Sequence, residues 1–309
     1  MIALARVELT RMRWRRAVIA LLVLAIVIPV LIGVARVWST RPLSEAQLTE
    51  FHSQVEDQIA DCVEHPRQWG VRTKDPERIR ARCTRNMSGW QPYRQPLSLA
   101  SERNGGSGMG VVAVLTALLL LAGTTFVGHD WNSGSMSNQL LFESRRRRLW
   151  AAKALAVTGV AFALAAVVST AYWLGLWAVM QARDLPVLDG SLADSLLYGL
   201  RGAGFAAAAA LGGYALTMLG RSTVATVGVL FGVSVAGGIV LAVLGIGEQW
   251  QPQKNVAAIV KDGTTYYEQA GNDYAERDLP IWHGIGYYGV ALVATVGASV
   301  VSFRLRDVP

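Results

Sequence analysis

Charge is scarce in this chain. Of its 309 residues only 17% are Asp, Glu, Lys or Arg, against about a quarter in an ordinary soluble domain. Cysteine is scarcer: there are two, Cys62 and Cys83. Even with His52 and His65 nearby, that spacing fits no zinc site, so no metal is expected. The chain contains no Gly-Lys dipeptide, which excludes the G-x-x-x-x-G-K-[ST] phosphate loop. Neither H-E-x-x-H nor G-x-S-x-G occurs, so zinc-protease and nucleophile-elbow chemistry lose their usual parts. The long apolar runs are nearly free of Asp and Glu, which argues against a carboxylate proton relay inside a membrane. The chain is therefore not expected to be an enzyme. If it moves something uphill, the free energy comes from a partner.

What the chain does have is apolar residues in blocks. Ala17–Ala35, Met109–Gly128, Ala154–Met180, Gly202–Gly220, Ser222–Gly247 and Leu279–Phe303 are each uncharged over 19 to 27 residues. About 20 apolar residues at helical rise cross a hydrocarbon core of about 30 Å. The runs do not alternate as barrel strands do. They predict an all-α integral membrane protein with six transmembrane helices, at 17–38, 109–128, 150–180, 192–219, 222–247 and 279–303. The first run is longer than a signal-peptide core, so cleavage is not expected. Pro29 is expected to kink this first helix.

Orientation follows from basic residues in short loops. With the N-terminus inside, segments 1–16, 129–153, 220–221 and 304–309 hold 13 Lys and Arg against four acids, Glu8, Asp130, Glu143 and Asp307. Both termini are then expected to be cytoplasmic, with the chain crossing its membrane several times. The net charge of +7 and pI near 9.7 are a topology signal rather than a nucleic-acid footprint.

The outer loop 39–108 carries both cysteines. Ser44-Glu-Ala-Gln47 has the form of a capping box. Leu48, Phe51, Val55, Ile59 and Val63 then recur at helical spacing. Asp75-Pro76 opens a second short helix. The expectation is a helical hairpin stapled by Cys62–Cys83, with two free thiols as the alternative. Residues Gly89–Pro96 and Asn104–Gly108 read as a linker back to the membrane. In the outer loop 248–278, Asp262-Gly263 between β-prone residues suggests a hairpin turn. Trp250, Tyr266, Tyr267 and Tyr274 fit an interfacial aromatic belt.

Within the spans, Arg201 is expected to snorkel outward and pair with Asp194, or to face a substrate path. Glycine and alanine between 202 and 213 suit close helix packing, as do Gly228, Gly232, Gly237 and Gly238, with a dimer interface as the other use. His283 is given no chemistry.

The inner loop 129–149 is the densest signal. Gly134-Ser135 permits a sharp turn and a cap for a short helix. Met136, Leu140 and Leu141 give that helix an apolar edge. Arg147, Arg148 and Lys153, with Arg145 and Arg146, suit anchoring at an anionic leaflet. The segment from Phe126 to Lys153 resembles the loop between the second and third membrane helices of ABC-2 type transporter permeases, especially actinobacterial ones. Asp130 stands at that family's Glu, Gly134-Ser135 at its Gly-Thr, and Leu140-Leu141 at its paired leucines. Glu143-Ser144-Arg145-Arg146 stands at Glu-Pro-Arg-Arg, without the proline, and Lys153 stands at its lysine. The resemblance implies that this loop is a coupling helix docking on a cytoplasmic ATPase. It also implies that residues 1–16 form an interfacial elbow helix, with Met1, Ala5, Leu9 and Met12 on one face.

On that reading the chain binds no cofactor itself, and ATP and magnesium belong to the ATPase, expected in two copies. A second permease copy completes a homodimer or heterodimer in the bilayer. The cargo is then apolar or amphiphilic, a drug, peptide or lipid, because no buried charge pairs are foreseen. The competing expectation is a membrane anchor whose outer hairpin binds an envelope protein and which transports nothing.

Overall fold

The computed structural model describes residues 2–73, 75–87, 96–244, 247–270 and 273–306. Met1, most of the 89–96 linker and Asp307 lie outside the described residues, as does the side chain of Tyr274. Helices α1 (Ile2–Arg13), α2 (Arg16–Ser39), α3 (Glu45–Glu64), α4 (Pro76–Met87), α5 (Leu99–Asn104) and α6 (Ser107–Asn132) come first. They are followed by α7 (Ser135–Phe142), α8 (Arg146–Ala182), α9 (Ser191–Gly220), α10 (Thr223–Val243) and α11 (Pro252–Lys261). Strands β1 (Thr264–Ala270) and β2 (Asp273–Leu279) pair antiparallel before α12 (Ile281–Leu305) closes the chain. Six of these helices, α2, α6, α8, α9, α10 and α12, are long and apolar enough to cross a membrane. Each falls within a few residues of the span expected from sequence.

The chain divides into two compact units, residues 1–35 with 98–309, and residues 36–97. In the larger unit α9 is the hub, packed along α6 and α8 and, less extensively, α12. Small side chains make this possible. A Cβ on Gly123 would stand 2.7 Å from the Ala210 carbonyl oxygen, and one on Gly213 would stand 2.9 Å from that of Leu120. The two backbones approach where larger residues would hold them apart, the kind of dispersion-driven contact helices use when lipid offers no hydrophobic drive. Tyr214 then bonds the Trp150 carbonyl at 2.7 Å, and Trp150 Nε1 bonds Ser299 Oγ at 3.1 Å, tying α9, α8 and α12 together.

The small residues of α10 are used differently. Gly228, Gly232, Gly237 and Gly238 have nothing within 4 Å of a Cβ position. Among the described residues, the close packing expected of both glycine runs is therefore present in α9 and not at these four glycines, although α10 does pack on α6 and α9.

The second loop corrects the expected turn. Residues Pro252–Lys261 are helical, with proline at the first position, where it costs no hydrogen bond. Asp262 ends the helix in the left-handed conformation at φ 69°, and Gly263 follows at φ 114°. Asp-Gly is thus a helix stop rather than the hairpin turn. The hairpin exists one step later, with Thr264 opposite Leu279. His283 Nδ1 lies 2.9 Å from Asn255 Oδ1, and its ring packs edge-on against Trp250, so it serves the α11–α12 contact.

The unit 36–97 is the stapled hairpin. Ser44 and Gln47 make both bonds of the capping box. Asp75 Oδ1 accepts from the Glu77 amide at 3.1 Å, starting α4 at Pro76. Cys62 and Cys83 are disulfide-bonded, with Val71 buried beside them and Ile59, Val63, Trp69 and Ile79 packed around. Closing a loop of this length contributes about 3 kcal/mol in the chain-entropy picture.

Candidate functional site

At the end of the bundle where α1, α7 and the last turns of α6 and α12 meet, five charged side chains share one buried cluster. Asp130, in the last turn of α6, is fully buried. Its Oδ2 accepts from Lys153 Nζ at 2.5 Å, and its Oδ1 accepts from Arg11 at 3.0 Å and from Arg15. Lys153, one turn into the buried part of α8, is also fully buried and donates to Glu8 Oε2 at 2.8 Å. Arg11 donates to Ser135 Oγ at 2.6 Å, at the first residue of α7. Gln139 Nε2 reaches the same hydroxyl at 3.0 Å. The Phe126 ring lies 5.6 Å from the Arg15 guanidinium and 5.3 Å from Lys153 Nζ.

Each partner is placed by helical periodicity. Ala5, Glu8 and Met12 form the buried face of α1, with Arg11 and Arg15 at its edge. The sequence pattern had put Leu9 on that face, but Leu9 is 41% exposed. An acid took the place expected of a leucine. Glu8 is the one acidic residue before Glu45, set beside the five arginines of residues 1–16, and that isolation was the available signal.

Three cations meet two anions here; Lys153, Asp130 and Glu8 are withdrawn from water, and Arg11 and Arg15 remain partly exposed. Removing such charges from solvent costs several kcal/mol per ion, and only good geometry with further hydrogen bonds repays it. Asp130 receives three cationic donors, so its geometry is of that kind. The cluster also corrects the expectation that the chain holds no buried charge pairs. Lys153 does not face the membrane surface, where it had been placed as an anchor; it faces Glu8 and Asp130.

The short helix α7 stands on this cluster. Gly134 is left-handed at φ 67°, the conformation glycine tolerates without a Cβ clash. Ser135 does not cap the helix with its side chain; its hydroxyl is taken by Arg11 and Gln139. Met136 turns inward and is 1% exposed, Leu140 is half-buried, and the helix ends on Leu141 and Phe142 at 82% and 92% exposure. Phe142 was not singled out by sequence, although it extends the Leu140-Leu141 pair. Glu143 Oε1 accepts from the Arg145 amide at 3.1 Å, holding the bend between α7 and α8.

Arg146 leaves the loop and donates to the carbonyl of Arg306 at 2.6 Å and of Phe303 at 3.3 Å, closing the C-terminus of α12. Trp131 stacks edge-on against Phe303 and under Arg221 at 4.9 Å. Arg145, Arg147 and Arg148 are exposed. The four segments with excess basic charge thus come together at one end.

The opposite end brings the remaining candidates together in simpler pairs. Arg201 bonds Asp262 at 2.6 Å, not Asp194, which pairs instead with Arg103 at 3.0 Å. Helix α11 supplies the nearer carboxylate through the left-handed Asp262. Glu248 accepts from Lys254 at 3.0 Å and from the Tyr267 amide, which together hold its carboxyl below the usual carboxylate range.

No family model matches this chain, and neither does any curated protein or solved structure. The functional reading therefore rests on this geometry and on the loop pattern.

Proposed function

We propose that this chain is the membrane-spanning permease subunit of an ABC-2 type transporter in a bacterial plasma membrane. In this reading α1 is the elbow helix and α7 the coupling helix, both cytoplasmic, and both termini lie inside. A separate cytoplasmic ATPase, in two copies, binds ATP and magnesium. A second permease copy completes the path, and the cargo is an apolar or amphiphilic molecule moved outward.

The observation that carries the reading is the pairing of an exposed apolar tip with a buried ionic base. Leu141 and Phe142 offer about the smallest apolar knob that a groove on a partner could grip. Behind them, Ser135, Asp130, Lys153, Glu8 and Arg11 bind α7, α6, α8 and α1 into one block. A push on the tip cannot move α7 alone, because moving it would break desolvated charge pairs. It moves α6 and α8, two of the three most closely packed helices, as a rigid body.

Among the site residues, Asp130, Gly134 and Ser135 shape and seat the coupling helix, and Leu140, Leu141 and Glu143 form its docking edge. Arg146 closes the loop against α12, and the Arg145 amide donates to Glu143. The test is purification of the tagged full chain from its native host in mild detergent, with measurement of bound proteins and of ATP hydrolysis. An ATP-binding subunit at near one-to-one ratio, lost in Leu140→Asp, is expected. An intact membrane protein with no ATPase, in complex with an envelope protein, would replace this reading with the anchor reading, for which the separately folded 36–97 hairpin is the natural binding unit.

A further inference from the structure

Helix α8 begins with arginine at the N-cap and at its first three positions, and no acid lies in its first turn. Helix N-termini carry positive partial charge, so cations there are unfavourable and anions favourable. Arg146 relieves part of the conflict by turning to the carbonyl end of α12. Arg145, Arg147, Arg148 and Arg304 do not. Among the described residues no carboxylate lies within ion-pair distance of any of the four. Glu143 is turned to the Arg145 backbone amide.

These arginines are not spread over a surface. Arg145 to Arg148 and Arg304, from two distant parts of the chain, line one open cavity of about 420 Å³. The Arg146 clasp on α12 is what brings Arg304 to the other four. The cavity sits where the apolar spans of α8 and α12 begin and end, with Leu149 buried just inside. Along α12 next to Arg304, Val301 and Leu305, one turn apart, are 51% and 77% exposed.

We infer that this cavity is a binding site for the phosphate of an anionic membrane lipid. The headgroup lies among the guanidinium groups at the start of α8, and the acyl chains run along Val301 and Leu305. A phosphodiester supplies the charge that the helix terminus and the arginines both lack. The apolar flank distinguishes a lipid from an acidic protein surface, which would have no use for it. The bound lipid joins the coupling loop to the last helix, so the loop's geometry depends on the anionic content of the leaflet. The inference rests on the chain lying in a membrane and not on an ATPase partner.

The test uses the purified full chain in neutral detergent, titrated with phosphatidylglycerol or phosphatidylcholine. Retained lipid is counted by native mass spectrometry and the thermal midpoint is followed in parallel. One phosphatidylglycerol is expected to be retained where phosphatidylcholine is stripped, with a midpoint shift that saturates. The combined Arg147→Gln, Arg148→Gln, Arg304→Gln variant is expected to bind it at least about tenfold more weakly, with its lipid-free midpoint unchanged because none of the three side chains is buried. Equal retention of both lipids, or undiminished binding by the variant, would overturn the site. Displacement of phosphatidylglycerol by millimolar inorganic phosphate, with the same midpoint shift from phosphate alone, would make it a free-anion site instead. Loss of the bound lipid when an ATP-binding subunit occupies the arginines would make it a protein contact.

Discussion

The two ends of the helical bundle handle charge in opposite ways. At one end Lys153 and Asp130 are wholly enclosed and share partners with Glu8, Arg11 and Arg15. At the other, Arg201–Asp262 and Arg103–Asp194 are separate pairs whose acids are 53% and 61% exposed. An exposed pair contributes at most about 1 kcal/mol and breaks without consequence for its neighbours. A buried cluster is committed, because removing one member strands the rest without water. The first end is built to hold several helices in one relation, and the second merely trims a surface. A device that transmits force needs the first kind of construction.

The largest effect that could break this contrast is Lys153→Met. It strands Glu8 and weakens Asp130, and is expected to cost about 3–5 kcal/mol, read as loss of the monodisperse peak and a lowered thermal midpoint. Adding Glu8→Gln is expected to restore part of that loss, since Asp130 keeps Arg11 and Arg15. If the single variant is as stable as the parent, the cluster does not carry the load assigned to it. Next is Phe142→Asp, which touches little in the chain and is expected to leave the midpoint unchanged while abolishing ATPase co-purification. A matching loss of stability would show that the tip packs within the chain instead.

Arg201→Gln sharpens the other side of the comparison. It is expected to change stability by less than about 1 kcal/mol and to leave transport unchanged; a loss of transport at unchanged stability would restore Arg201 to the substrate path. The smallest expected effect is acidic. The Glu248 carboxyl is held below its ordinary value of 4.5, chiefly by the Lys254 hydrogen bond. Its contribution is therefore present above that value and is lost as pH falls through the lower folded one. The protection factor of the β1 amide of Tyr267, its exchange rate set against the intrinsic rate at each pH, is expected to fall as pH drops below the ordinary carboxylate range in the parent and to stay constant over that range in Glu248→Gln.

Much of the architecture was legible because membrane spans are written in composition. An uncharged run of about 19 residues or more has few alternatives in lipid, and such runs located all six of the helices long and apolar enough to cross a membrane. The capping box at Ser44 and the Asp75-Pro76 start are local signals, and the structure carries both. The charge cluster was not legible as a cluster. Asp130 and Lys153 stood out as motif positions, yet nothing local says that a lysine expected at a membrane edge turns inward to a glutamate in the first helix. That depends on α1 lying across α8, a long-range contact with no sequence period of its own. Asp262-Gly263 misled for a related reason. The pair favours left-handed backbone wherever it stands, and whether it turns a hairpin or stops a helix is decided by what precedes it, here Pro252 and a buried Asn255.

The central claim is that the α7 tip enters a groove on an ATP-binding subunit, and one crosslinking experiment addresses it directly. The chain's only two cysteines are joined in the disulfide, so Phe142→Cys introduces a single free thiol. Labelled with a short photo-crosslinker in native membranes, it is predicted to yield one dominant adduct with a nucleotide-binding protein, enhanced or suppressed by ATP. Adducts with lipid alone, or with an envelope protein and no ATPase, would contradict the account.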